Sequence, residues 1–317
     1  MADDIAVVVV PLPAQGHLNQ LLHLSHRISA YGIPVHFVGT PVHNRQAQVR
    51  LHGWDPQATS KIQFHDFSAT FPSPPPNPNT SDKNPVQLVP SFHAAAHLRE
   101  PICEFVKKLL ITSRRVVVIH DYLMNYTVQD VPSIPNAESY CFHSACALTM
   151  YTYNFQSLGK PVMVNGEVID DILCAPTASL PEELAHYIYI QMESRKPTSG
   201  NLYNTSRVIE GEFLNLIYRE EPFAAEKHWA IGPFNPLDIT QNRVSGQKRH
   251  KCLEWLDKQP EKSVIFVSFG SSISLCDKQV EEIAIGLDKS GAKFIWVLRD
   301  ADRADIFAGE SRRRYCK

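Results

Sequence analysis

The sequence predicts an α/β protein on parallel sheets, with one full unit over residues 1–231 and the opening of a second over 251–317. Three observations predict it. Ile5-Ala-Val-Val-Val-Val10 is an unbroken, largely β-branched run bounded by Pro11 and Pro13, which suits a strand covered on both faces. Leu18, Leu21, Leu22, Leu24 and Ile28 then recur at helical spacing before the apolar run Pro34–Val38. Strand, helix and strand within about 35 residues make a βαβ unit with parallel strands. The same order returns at Ser263–Gly270, Val280–Leu287 and Lys293–Leu298.

The remaining elements follow in turn. Gly32 lies just past the first helix, where a glycine is favoured. Lys61–Phe67 reads as a third strand. Phe71–Pro90 holds seven prolines with Asn and Ser; it is a loop, either a plain excursion or one wall of a binding cleft. Val86–Leu110 reads as a long helix bent at Pro101. Arg115–His120 is a buried strand, Tyr122–Gln129 is helical in pattern, Ser139–Phe142 is a short strand, and Ala145–Phe155 and Pro181–Glu193 are helices. Ile231–Gln247 carries Gly232, Pro233, Pro236 and Gly246 without periodicity. It reads as an interdomain linker, which divides the chain into 1–231, 232–250 and 251–317. Cys252–Asp257 is a short helix. After Leu298 only 19 polar and charged residues remain. Two strands and one helix do not bury a doubly covered sheet, so the expectation is a fragment or a C-terminal piece that packs on something else.

Composition narrows the function. The chain has 317 residues, 44% hydrophobic and 20% charged, with a formal net charge of -2. That balance fits a globular protein and argues against a dedicated nucleic-acid binder. No apolar run approaches the roughly 20 residues that span a bilayer. The acidic start Met-Ala-Asp-Asp runs into prolines rather than a cleavage site, so Ile5–Val10 reads as a strand and not a signal. Seven cysteines without a tight pair point to reduced thiols in the cytoplasm.

Ligands of parallel sheets sit beyond the carboxyl ends of the strands. Two candidates fall there: His17, one loop after the first strand, and Asp121, directly after Arg115–His120. A carboxylate behind a histidine holds its tautomer and stabilises the imidazolium formed when the ring takes a proton. An isolated His17 would be an ordinary helix-start residue on a surface loop; Gly16 and the strand–loop–helix setting weigh against that. Asp121 reads equally as a helix N-cap, and the two roles are compatible. The first loop lacks both G-x-G-x-x-G and a P-loop lysine. Ser268-Phe-Gly-Ser-Ser272 offers small residues at which backbone N–H groups approach a phosphate, although such turns are common. His23/His26 and His93/His97 have helical spacing but no third ligand, so they read as packed or solvated, and no metal is expected. Lys248–Lys251 and Arg312–Arg314 read as solvated faces. Met150–Tyr153 is either pocket lining or aromatic packing.

Together these residues resemble the plant UDP-sugar-dependent glycosyltransferases of the two-domain GT-B fold. Val-Val-Pro-Leu-Pro-Ala-Gln-Gly-His-Leu-Asn-Gln is similar to that family's first loop, and the resemblance implies that His17 is the catalytic base. His120-Asp121 matches the place of its aspartate partner. Cys252–Pro260, Ser263–Ser271 and Lys293–Asp300 resemble the interdomain segment and the first two strands of its second domain. The similarity runs to about Arg312. Within the family it looks most like the zeatin O-glucosyltransferases, particularly the cis-zeatin type of grasses, through Ala301–Glu310 and Ile-His-Asp-Tyr-Leu-Met.

The resemblance implies Rossmann-like domains and inverting transfer of glucose from UDP-glucose to the side-chain hydroxyl of zeatin. It implies no metal, nucleic acid or membrane. On the donor side the candidates are Gly16, Ser271 and Ser272. The family's donor signature, a uracil-stacking Trp, then His-Cys-Gly-Trp-Asn-Ser and an Asp-Gln pair, is not in this sequence, and Arg312–Lys317 departs from the family pattern. The expectation is therefore a C-terminally truncated relative. Its alternatives to catalysis are an inactive acceptor-binding fragment or a chain that misfolds.

Overall fold

The computed structural model describes residues 3–51, 54, 56–68, 88–157, 163–164, 167–168, 182–219, 223–234, 251–270, 275, 277–297 and 314–316. The strands are β1 (Asp3–Val10), β2 (Val35–Gly39), β3 (Ile62–Asp66), β4 (Ser113–Asp121), β5 (Ala137–His143), the hairpin pair β6 (Met163–Val164) and β7 (Glu167–Val168), β8 (Gly200–Tyr203) and β9 (His228–Ala230). Seven of them form one sheet in the order β3-β2-β1-β4-β5-β8-β9, with every pairing parallel.

Side-chain alternation along β1 explains its apolar run Ile5–Val10. Ala6, Val8 and Val10 pack on one face with Phe92, Ile102 and Val106. Val7 and Val9 pack on the other with Leu18, Leu21 and Leu22. The first group comes from α4 (Leu88–Ala96) and α5 (Arg99–Leu109), the second from α1 (Gln15–Ser29). Gly32 closes α1 with φ +79° and donates its N–H to Ser29, a conformation that disfavours side chains.

Several elements depart from the sequence reading. The long helix is two helices, broken at His97–Leu98 rather than bent at Pro101. Pro101 lies in the first turn of α5, where its missing N–H has no helical acceptor to lose. The sequence reading omitted α2 (Pro41–Arg50), α3 (Pro56–Thr59), β8, β9 and the helix at Arg207–Arg219. The predicted helix at Tyr122–Gln129 is a 3-10 turn at Tyr122–Met124 followed by α6 (Asn125–Val128). Ala145–Phe155 is α7 (Ala147–Ser157), Pro181–Glu193 is α8 (Glu182–Glu193), and Arg207–Arg219 is α9. The loop 71–87 and the linker residues 235–250 lie outside the described residues.

The second unit holds α10 (Lys251–Leu256), β10 (Val264–Ser268), α11 (Asp277–Lys289), β11 (Lys293–Val297) and β12 (Arg314–Cys316). β10 and β11 pair parallel and β12 joins antiparallel. Its apolar strand is poorly covered: Phe266 is 68% exposed, and Leu253, Ile265 and Phe269 are exposed with it. β2, by contrast, is buried at every position. A purified chain is therefore expected to bind an environment-sensitive apolar dye here, and Phe266→Ser to weaken that signal clearly. Equal fluorescence from both proteins would place the dye elsewhere. Among the described residues no helix is long and apolar enough to cross a membrane.

Candidate active site

The register aligns Val10 with His120 and Asp121 with Phe142, so the carboxyl ends of β1, β4 and β5 lie side by side. The chain leaves β1 toward β2 and β3, then returns to β4 on the other side of β1. That reversal is the topological switch point, where open parallel sheets bind ligands. Ala14 donates its N–H to the Leu12 carbonyl at 2.7 Å, a tight turn that starts α1 at Gln15. His17 is thus the third residue of the helix, at the end of β4.

His17 Nδ1 lies 2.7 Å from Asp121 Oδ2, with the His17 side chain 23% exposed and that of Asp121 fully buried. The other carboxylate oxygen, Oδ1, accepts the Leu123 N–H at 3.0 Å and caps the Tyr122–Met124 turn. One carboxylate therefore caps the turn and contacts the His17 ring. An ionised carboxylate only accepts, so Nδ1 carries the proton and Nε2 presents a lone pair.

The sequence reading missed Ser144, one residue beyond β5. Its Oγ is 2.7 Å from His17 Nδ1 and donates to Asp121 Oδ2 at 3.2 Å. No motif announces it, because a serine 127 positions from His17 meets it only through strand order.

Aromatic rings back the pair. Tyr122 stacks near His17 at 6.3 Å and near His143 at 5.8 Å, and His143 stacks on Tyr203 at 4.4 Å. Arg195 pairs with Glu226, and Glu226 accepts from Asn201 Nδ2 at 2.5 Å. That turns Asn201 Oδ1 toward His143 Nε2 at 3.0 Å, so the Nε2–H of His143 donates. Burial pushes His143 and His120 down to about 4, which keeps both rings neutral. Burial pushes the Cys141 thiol up to about 12, which leaves it protonated and a poor nucleophile.

The other sequence candidates sort as follows. Gly16 is the second residue of α1, and a Cβ there would meet nothing within 4 Å, so open space adjoins it. Ser271 and Ser272 lie outside the described residues. His23 and His26 each pack at 4.8 Å from Trp54, which is the packed reading. His93 meets the Tyr187 ring edge-on. Met150 and Tyr151 are buried, and the Tyr151 hydroxyl donates to the Met163 carbonyl at 3.0 Å, so these two side chains are core. Among the described residues no three His, Cys, Asp or Glu side chains gather as metal ligands.

A doubly covered parallel sheet with a histidine–carboxylate pair at its switch point defines a Rossmann-like α/β protein with a candidate site at the strand ends. The particular family follows from comparison. Residues 3–236 match the family described as the glycosyltransferase N-terminal domain, and the chain belongs to that family. It is 46% identical to a zeatin O-glucosyltransferase of Phaseolus lunatus, which covers 98% of this chain and 66% of the relative. It is 44% identical to a zeatin O-xylosyltransferase of Phaseolus vulgaris over 98% of this chain and 66% of the relative. A cis-zeatin O-glucosyltransferase of Zea mays is 40% identical over 98% of this chain and 67% of that protein. Among solved structures, a UGT transferase of Siraitia grosvenorii in complex with UDP superposes with a TM-score of 0.66 at 24% identity, over 93% of this chain and 65% of that one. That likeness concerns the fold, which is the GT-B fold expected from the sequence. The chain spans about two thirds of the length of these curated relatives, 66% for the first two.

Proposed function

We propose that the chain carries the acceptor-activating site of an inverting, UDP-glucose-dependent O-glucosyltransferase whose acceptor is the side-chain hydroxyl of zeatin. The observation that carries this reading is the 2.7 Å contact between His17 Nδ1 and Asp121 Oδ2 at the switch point. In the proposed step, Nε2 takes the acceptor's hydroxyl proton while Nδ1–H stays on Asp121. The freed oxygen attacks the anomeric carbon from the side opposite the leaving group, and UDP departs with the bonding pair. The carboxylate stabilises the imidazolium that results. Residues 1–231 would hold the acceptor and 251–317 would begin the donor domain, joined by 232–250. Gly16, Ser271 and Ser272 are the positions assigned to the donor. Zeatin as acceptor is supported by the names of the relatives, two of which differ in the sugar they transfer.

A second reading is acceptor binding without transfer. It is favoured by the exposure of β10, the strand that leads to Ser271 and Ser272. Mass spectrometry of the purified chain with cis- or trans-zeatin and either UDP-glucose or UDP-xylose separates the two. A glucoside that disappears in His17→Ala supports transfer. Zeatin binding without product supports the second reading, and neither product nor binding rejects both. A xyloside in place of a glucoside would correct the donor.

A further inference from the structure

We propose that Ser144 is a positioning residue for His17: its hydroxyl, seated between Nδ1 and Oδ2, fixes the tautomer and orientation of the ring. This rests on the reading of His17 as the base. The three groups close a ring. Nδ1–H faces Oδ2 at 2.7 Å and Oγ at 2.7 Å, and the Oγ–H donates to Oδ2 at 3.2 Å. With Nδ1 protonated it does not accept, so the hydroxyl proton goes to Oδ2 and an Oγ lone pair is turned toward Nδ1. The opposite tautomer would set the Nδ1 lone pair against the carboxylate.

The same geometry excludes a nucleophilic serine. A Ser–His–Asp triad places hydroxyl and carboxylate on different ring nitrogens, so that the proton passes across the imidazole. Here both contact Nδ1, and Nε2 is left for substrate.

Ser144 is itself held by a ladder of side-chain amides. Gln20, one turn along α1 from His17, donates Nε2–H to the Ser144 carbonyl at 3.0 Å. Gln20 Oε1 accepts from Asn204 Nδ2 at 2.6 Å, and Asn204 Oδ1 accepts the Phe234 N–H at 2.8 Å. Gly232 makes room for the last step, since a Cβ there would fall 2.2 Å from Asn204 Oδ1. Residues three apart share a helix face, so α1 carries both the base and the support of its partner.

The test is nitrogen-15 NMR of the histidine side chains in the intact chain, with His17 assigned from the signal lost in His17→Ala. The wild type is expected to give the Nδ1–H form, its proton slow to exchange with water. Ser144→Ala is expected to speed that exchange about fivefold, the ratio one neutral hydrogen bond commands. Ser144→Thr, which keeps the hydroxyl, should restore it. Ser144→Cys serves if the alanine variant does not fold. Wild-type exchange in a folded Ala or Cys variant overturns the proposal, as does faster exchange that Thr fails to restore. The readout stands whether or not sugar is transferred, so its failure is distinct from failure of the proposed function.

Discussion

Under the proposed transfer, His17→Ala is expected to lower zeatin glucosylation by about 10²–10⁴-fold, the range a positioned general base contributes. The loss should fall on kcat, with acceptor affinity little changed. The His17 side chain is 23% exposed, with Nδ1 engaged by Asp121 and Ser144, so the proposed role as base falls to the lone pair of Nε2. Asp121→Asn should fall in the same direction with a smaller loss. An asparagine can still cap Leu123 through its oxygen, but its amide would face Nδ1 and favour the wrong tautomer. Steady-state kinetics on the three proteins read this directly. Retention of more than about a tenth of wild-type turnover by His17→Ala would sink the assignment of the base.

Acidification from pH 7 to pH 5 is expected to destabilise the fold by several kcal/mol. His43, His120 and His143 are each buried and held down to about 4, against 6.5 for the free side chain. Between those values the unfolded chain binds protons that the folded chain refuses, so stability rises with pH. The contribution is full above about 6.5 and is lost as the pH falls toward 4. Each group contributes about 2 kcal/mol over this interval by linkage. Urea denaturation at pH 7 and pH 5 measures it. His43→Gln, removing one titrating ring bonded to Thr40, should reduce the difference by about a third of its size. A midpoint that does not move between the two pH values would contradict the burial of all three rings.

Much of the fold and half of the candidate site can be read from sequence, and the rest could not be for identifiable reasons. β1 and β4 announce themselves through the apolar runs Ile5–Val10 and Val116–Ile119, because the part of a strand covered on both faces must be apolar. His17 and Asp121 follow from the rule that ligands lie beyond strand ends. α2 hides because three of its four buried residues, His43, Asn44 and Gln46, are polar and only Ala47 is apolar; Asn44 reaches a distant partner, donating to the Asp66 carboxylate. β8 is Gly-Asn-Leu-Tyr and β9 is His-Trp-Ala, too short and polar to carry a period. Gly200 is explained by the neighbouring strand, whose Trp229 ring lies 2.2 Å, and the Lys227 carbonyl oxygen 3.0 Å, from where its Cβ would be. Ser144 belongs to the same class. Its chemistry is ordinary, and its meaning comes from the neighbouring strand ends.

The amide ladder from Ser144 to Phe234 has a bearing on recombination between related proteins. His17, Gln20, Asp121, Ser144 and Asn204 all precede residue 205, and the final rung is a backbone N–H at 234. A chimaera joined upstream of Gly232 would bring in a foreign backbone beneath Asn204 and loosen the serine's seat. One joined after Phe234 inherits the whole cluster as a cassette, free to be matched with the donor half of another transferase.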